Sequence, residues 1–326
     1  INLIRFNVNM RQPSVYLRFA SILLFFITSI AKADPWFTGT LLAASGKTIP
    51  LGHANLETIG FYTKNIGVFN RHWKLIHTPA NYNTQLSTLL SYGLANTVDV
   101  QYTVPYTFNY NMGQHSRRIG DVSILLGYQA LKQRSIFHPD LRITLQETFP
   151  TGRFNELNPL NQGTDGTGMG SYQTTLGFNF QHLSQLGVNH YLRSRLSINY
   201  QYASQTQIHG LSSYGGTINT QGQVRPGNLL SIDLAGELTL TQHWALLMEA
   251  YYLERRATSF TGRTGEKPNG ELAMIGHEAM QEITLVPAVE YNFSEHYGII
   301  GGCWLIAKGK NTADFISGII AFNAYW

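Results

Sequence analysis

Apolar and polar positions alternate at period two over long stretches of this chain. From Thr97 to Tyr110 the even positions Val98, Val100, Tyr102, Val104, Tyr106 and Phe108 oppose Thr97, Asp99, Gln101, Thr103, Thr107 and Asn109. The same holds from Leu229 to Leu240, where Leu230, Ile232, Leu234, Leu238 and Leu240 oppose Ser231, Asp233, Glu237 and Thr239. It recurs from Tyr191 to Tyr202 and from Gln281 to Phe293. Side chains of a strand alternate between two faces, so each stretch is a strand with one apolar and one polar face. Further strands are expected at Ala54 to Lys64, Thr84 to Leu94, Ile119 to Leu131, Asp140 to Phe149, Ser171 to Leu183, His243 to Arg255 and Tyr297 to Ala307. The last is Phe315 to Trp326, with Ile316, Ile320, Phe322 and Trp326 on its apolar face. About twelve long alternating strands predict an all-β protein, a transmembrane antiparallel β-barrel.

Connection lengths point the same way. Asn65 to Asn83, Asn111 to Arg118, Pro150 to Gly170, Ala203 to Asn228 and Arg256 to Met280 are long, with a short sixth near Lys308 to Thr312. Between them fall the mostly short Ala95-Asn96, Lys132 to Pro139, Ser184 to Gly187, Thr241-Gln242 and Ser294 to His296. Short periplasmic turns alternating with long extracellular loops is the outer-membrane barrel pattern, and an even strand count leaves both termini in the periplasm. The C-terminal strand, through Phe322 and Trp326, is expected to close the barrel and to be read by the barrel-assembly machinery.

The N-terminus predicts export. Arg11 and Arg18 precede an apolar run from Phe19 to Ile30 and then Ala31-Lys32-Ala33, the small-x-small pattern of a signal-peptide cleavage site. Met10 is the expected start, with Ile1 to Asn9 upstream, and Asp34 the expected first mature residue. The domains are thus residues 1–33, an upstream segment and cleaved signal peptide; 34–51, an N-terminal segment; and 52–326, the barrel. The segment 34–51 either folds into the lumen as a plug, lines its periplasmic mouth or stays disordered.

Composition narrows the reading further. Charged residues are 13% of the chain, against roughly 25% in soluble domains, while 31 glycines, 18 tyrosines and 17 phenylalanines suit a sheet with an apolar exterior. The single cysteine, Cys303, excludes an internal disulfide. The formal charge of +4 is spread without a basic cluster, which removes nucleic acid as a partner.

The polar strand faces carry Asp99, Asp121, Arg142, Arg193, Arg195, Asp233, Glu237, Glu249, Glu282 and Glu290 as lumen-lining candidates. Both signs occur, so they form either a hydrated path that orders a solute or a core of salt bridges that fills a narrow barrel. Gly163 to Gly170, GTDGTGMG, lacks the Lys-Ser/Thr and strand-helix context of a phosphate cradle and reads as a tight loop. One carboxylate there, Asp165, is too few for a calcium site. The 11 histidines, among them His115, His138, His190, His209 and His277, have no zinc-ligand spacing, and no G-x-S-x-G occurs. No metal and no cofactor is expected.

Two stretches carry a family resemblance. The mature start, ADPWFTGTLLAASGKTIPLGHANLE (Ala33 to Glu57), and the loop NQGTDGTGMGSYQTTLGFNF (Asn161 to Phe180) resemble the outer-membrane transporter-like proteins labelled "MetA-pathway of phenol degradation". GDVSILLGYQAL (Gly120 to Leu131) and FPTGRF (Phe149 to Phe154) are similar to that family's central region, while Ala44 stands where the family usually has proline. The resemblance implies a barrel in the style of outer-membrane channels for hydrophobic compounds, and it marks Thr164, Asp165, Gly166, Thr167 and Gly168 as the recurring loop motif. The expected function is passive uptake of a small hydrophobic or aromatic compound across the cell outer membrane, without catalysis. The alternatives are a barrel-embedded hydrolase, which needs a Ser or Asp and a His together at one rim, and a sealed structural or surface-interaction barrel. The expected partners are the lipid bilayer, the assembly machinery and the solute.

Overall fold

The structure is a computed structural model that describes residues 36–135 and 138–326. The expected signal peptide, the upstream residues and Asp34 lie outside the described residues. The strands in chain order are β1 (Ala54–Phe69), β2 (Leu75–Ala95), β3 (Val98–Asn111), β4 (Gln114–Ile119), β5 (Val122–Leu131), β6 (Asp140–Phe149), β7 (Gln173–Gln185), β8 (Tyr191–Ala203), β9 (Thr206–His209), β10 (Gln221–Arg225), β11 (Leu229–Thr239), β12 (Trp244–Arg255), β13 (Ser259–Arg263), β14 (Met280–Asn292), β15 (Tyr297–Lys310) and β16 (Thr312–Tyr325). Among the described residues a single 3-10 turn spans Pro159–Asn161.

All but β9, β10 and β13 form one closed antiparallel barrel. Strands β4 and β5 lie end to end along β3 and act as one interrupted strand, so the circle has twelve positions. The seam is β1 against β16, in register from Asn55 opposite Tyr325 to Phe69 opposite Thr312. Ala54 and Trp326 exchange backbone hydrogen bonds at 2.8 and 3.0 Å, which ties the last residue to the first strand. Closure leaves no strand edge unpaired in hydrocarbon, where an unsatisfied amide is costly.

The period-two pattern sorts as the sequence predicts. Tyr102, Leu126, Leu145, Leu234, Met248, Ile320 and Phe322 are exposed on the outer face, where they meet the lipid bilayer. Asp99, Arg142, Asn179, Arg195, Asp233, Glu249 and Glu290 are buried on the inner face. Exposed aromatics mark the two boundaries: Tyr92, Tyr128, Trp244, Tyr297 and Trp326 at the periplasmic ends of strands, Tyr110, Tyr172 and Tyr202 toward the outside.

Two stretches expected as loops are strand. β1 and β2 continue through Asn65 to Asn83 and turn only at residues 70–74, and β3 runs into β4 through Met112 and Gly113, both at positive φ (48° and 82°). A two-residue turn with both central residues at positive φ matches the twist of a hairpin. In β1 and β2 the alternation is broken by the bulge between Asn65 and Gly67, and in β4 the run Gln114 to Arg118 is polar on both faces. Asn65 Nδ2 donates to Asn81 Oδ1 at 2.7 Å, and Asn83 pairs with Asn109. Outside the barrel, β13, β10 and β9 form a small sheet within the long extracellular loops.

Leu234 is 57% exposed at the middle of β11, so it sits near the bilayer midplane. Leu234→Arg is expected to destabilise the vesicle-folded barrel by about 2–4 kcal/mol, read from the urea unfolding midpoint. An unchanged midpoint would mean that this face does not meet lipid.

Candidate functional site: the lumen and its N-terminal strap

Residues 36–53 run inside the barrel as an irregular strap before β1. It carries no regular secondary structure, so its backbone amides must find partners on the barrel wall. The inner-face carboxylates supply them. Glu249 on β12 accepts from three successive amides: Leu41 N to Oε1 at 2.7 Å, Leu42 N to Oε2 at 3.1 Å and Ala43 N to Oε2 at 2.8 Å. Successive amides converging on one anion form a nest, a charge-assisted arrangement stronger than neutral hydrogen bonds. Glu290 on β14 accepts from Thr38 N at 2.5 Å, and Asp99 on β3 accepts from Ile49 N at 2.9 Å.

Acceptors on the strap are met by wall donors in turn. Arg195 Nη1 on β8 donates to Thr40 Oγ1 and to the Ala43 carbonyl, each at 3.0 Å. Gln129 on β5 does both, accepting from Thr48 N at 2.8 Å and donating to the Gly46 carbonyl at 2.9 Å. Lys47 lies 3.6 Å from Asp140, and the Arg193 guanidinium sits 4.3 Å from the centre of the Phe37 ring. The strap also touches backbone. A β-carbon at Gly93 would lie 1.8 Å from the Pro50 oxygen, and one at Gly298 would lie 1.7 Å from Thr38 Oγ1. Only glycine allows that approach.

The lumen is two-sided. Along β12, β14, β15, β16 and β1 the inner face carries an apolar band between its carboxylates, with Leu247, Val286, Ala288, Ile300, Ile319, Ala321 and Ile59 buried in one cluster with Leu41 of the strap. Phe61, Leu89, Trp304 and Leu42 pack against it. The opposite wall, from β3 to β8, is polar: Asp99, Gln129, Arg142, Asn179, Gln181 and Arg195 are buried there. A cavity of about 870 Å³ runs beside the strap, touching His296 and Tyr325 near the periplasmic rim and Gln201, Tyr251 and Arg255 toward the outside.

The sequence-derived candidates take several roles. Arg142 donates to Asp99 Oδ1 at 2.8 Å, so Asp99 holds an arginine with one oxygen and the strap with the other. Gly127 makes room for that pair, since a β-carbon there would lie 2.1 Å from Asp99 Oδ1. Arg193 grips Glu237 with both Nε and Nη2. Glu282 accepts from Thr312 Oγ1 at 2.9 Å. Asp233 is buried and both its oxygens lack a hydrogen-bond partner. Asp121 stands apart. It lies between β4 and β5 and accepts from Gly152 N at 2.9 Å and Met169 N at 2.8 Å, anchoring the loop after β6.

The loop motif folds back on the barrel. Asn109 Nδ2 and Ser116 Oγ donate to the Thr164 carbonyl at 2.8 and 2.5 Å, Asn109 Nδ2 also reaches the Gly166 carbonyl at 3.3 Å, and Thr167 Oγ1 donates to the Ile119 carbonyl at 3.1 Å. Asp165 accepts from Asn158 N at 3.0 Å, and a β-carbon at Gly168 would lie 2.5 Å from Asp121 Oδ1. Beyond it Ile208, Tyr214 and Val224 form a small extracellular core with Phe154, Met169, Phe260 and Ile275. Burial pushes the Tyr214 phenol up to about 12, so it stays a donor, to the Met169 carbonyl at 2.5 Å. Burial and the nearby Arg255 lower His277 below the ordinary imidazole range.

The histidines are dispersed. Ser135 Oγ lies 2.8 Å from His138 Nδ1, but the pair is exposed and closes the turn between β5 and β6. His190 meets the Thr239 carbonyl at 3.0 Å. Among the described residues no group of three His, Cys, Asp or Glu is placed to hold a metal. Sequence reasoning did not single out Gln129, Glu57 or the apolar wall. Gln129 and Glu57 lie on alternating strands already delineated, whereas the apolar wall breaks the alternation.

Residues 44–296 match the family model described as "Putative MetA-pathway of phenol degradation". Among solved structures, the COG4313 outer membrane channel from Pseudomonas putida F1 is similar with a TM-score of 0.64 at 11% identity, over 86% of this chain and 98% of that one. The NanC porin (TM-score 0.42, 10% identity, 82% and 98% covered) and the TodX monoaromatic hydrocarbon channel in a deletion mutant (0.37, 11%, 85% and 90%) are more distant. Comparison with curated proteins gives no significant match. The fold is that of an outer-membrane β-barrel, and the chain belongs to the family described as the putative MetA-pathway of phenol degradation.

Proposed function

We propose that this protein is an outer-membrane channel for passive movement of a small hydrophobic or aromatic compound, with the strap acting as its plug. The observation that carries the reading is the two-sided lumen. A purely polar bore suits hydrophilic solutes, and a purely apolar one would exclude water from the path; a polar wall facing an apolar one passes a solute that has both surfaces. Leu41 and Leu42 of the strap rest on the apolar wall, Leu41 within its buried cluster, where a hydrophobic solute would rest. Support also comes from the fold shared with the COG4313 outer membrane channel of Pseudomonas putida F1. No residue is assigned a catalytic role, and the solute and the assembly machinery that reads the β16 terminus are partners on this reading.

Single-channel recording in planar bilayers tests it. The mature chain from Asp34 is expected to give rare or small conductance steps, and the chain begun at Gly52 large, frequent ones. Silence from both, with heat-modifiable migration showing a folded barrel, would refute a plugged aqueous path.

The Glu249 nest gives a finer test. Hydrogen bonds to a charged group contribute about 1.5–3 kcal/mol each in net terms. Glu249→Ala removes the acceptor of three strap amides, and is expected to raise the rate of limited proteolysis within residues 36–51 by at least tenfold while the barrel stays resistant. An unchanged cleavage rate would show that the strap is held elsewhere.

A further inference from the structure

The charges on the inner wall do not balance. Arg142 is taken by Asp99, Arg193 by Glu237, and Lys47 by Asp140. Arg195 spends Nη1 on the strap oxygens of Thr40 and Ala43, and Glu249 is met by strap amides. Toward the outside Arg255 of β12 lies diagonal to Glu282 of β14. Glu290 is met at Oε1 by Thr38 N and Asn292 Nδ2, with Oε2 left unpartnered. Two further inner-face carboxylates remain. Asp233 is 2% exposed with neither oxygen hydrogen-bonded. Glu57 faces the cavity from β1. Ala235, the neighbouring inner residue on β11, stands opposite Arg195 of β8 and Glu249 of β12, so Asp233 lies diagonal to both, and Glu57 lines the same cavity as Arg195.

Aromatic rings stand beside these carboxylates. Tyr251 is the register partner of Asp233 across β11 and β12, and it lines the cavity with Glu57. The Trp304 ring lies edge-on to Tyr251 with centroids 6.2 Å apart, 6.2 Å from Phe61 and 5.3 Å from Phe315. Trp304 Nε1 donates to Thr284 Oγ1 at 2.8 Å, which fixes its plane. A buried carboxylate without a partner is unfavourable, and a ligand that brings a cation removes that cost. Aromatic faces attract the same cation through their quadrupoles, and aromatic cages recognise substituted ammonium groups this way.

We propose that the lumen holds a binding site for an organic cation, an amine with an aromatic or alkyl body, whose charged head is drawn by Asp233 and Glu57 and whose body lies on Tyr251, Trp304 and Phe61. The site narrows the solute class of the channel reading and rests on it for its purpose, since an amine that binds here is in transit. It sets the preference order cation over neutral compound over anion.

Calorimetry on the detergent-solubilised mature chain tests the site without any transport step. The probes are benzyltrimethylammonium, benzyl alcohol and phenylacetate, similar in body and different in charge. Benzyltrimethylammonium is expected to bind at least tenfold more tightly than benzyl alcohol, with phenylacetate weakest. Asp233→Asn and Glu57→Gln together are expected to cut the affinity for the cation at least tenfold and leave benzyl alcohol unchanged, while Trp304→Leu weakens both. Equal affinity for the cation and the neutral probe in the unaltered protein would overturn the site, and this comparison needs no variant to fold. Retention of cation preference in the Asp233→Asn, Glu57→Gln protein, shown folded by heat-modifiable migration, would also overturn it. The channel reading is judged apart, by flux of the same probes into proteoliposomes. Flux without charge preference sinks the site and keeps the channel; binding without flux does the reverse.

Discussion

Hydrocarbon accepts no unpaired backbone amide, and every other feature of this molecule follows from meeting that demand with strands. The sheet must close, so β1 meets β16 along its whole length. Closure creates an inside, and alternation then sends every second residue into it. The inside is narrow at twelve strands, so charges placed there are crowded, and each must find an opposite charge, an amide or a ligand.

Much of this was legible in the chain because alternation is a strong signal where one face meets lipid and the other meets polar groups. Asp140–Phe149 was delimited to the residue, and the outward set of Tyr102, Leu145, Leu234 and Phe322 follows directly from period two. Legibility failed where the contrast between faces vanished. The ends of β1 and β2 look like loop because the bulge at Asn65/Gly67 breaks the period, and β9, β10 and β13 are too short to show one. The apolar inner wall was hidden for the opposite reason, with Ile300, Ile319 and Ala321 apolar inside a strand that is also apolar outside. Partner choice was not legible at all. That Asp99 takes Arg142, and not Arg193 or Arg195, depends on the space that Gly127 leaves between them in the folded ring.

The inner carboxylates do two jobs with one chemical group. Glu249, Glu290 and Asp99 are acceptors for a segment of irregular backbone that has no sheet to join. The strap in turn supplies the N–H groups that let those carboxylates stay buried. Each side answers the other's desolvation, which is why the strap and the acidic wall belong to one design. Where the strap offers no amide, at Asp233, the carboxylate is left for something else to satisfy.

The apolar wall has a consequence for how the ring is assembled. Strand register is specified by the contrast between a strand's two faces, because a slip of one residue exchanges them. From β15 to β1 that contrast is weakest, and this is the sector that contains the seam. Two register shifts fall there as well, at Asn65/Gly67 in β1 and where β15 pairs with Ile283/Thr284 of β14. The alignment of the closing strands is therefore set by fixed points other than hydrophobicity: the Ala54 to Trp326 backbone pair and the contact of Thr38 with Glu290, Asn292 and Gly298. The strap thus serves as a ruler against which the final strands are aligned.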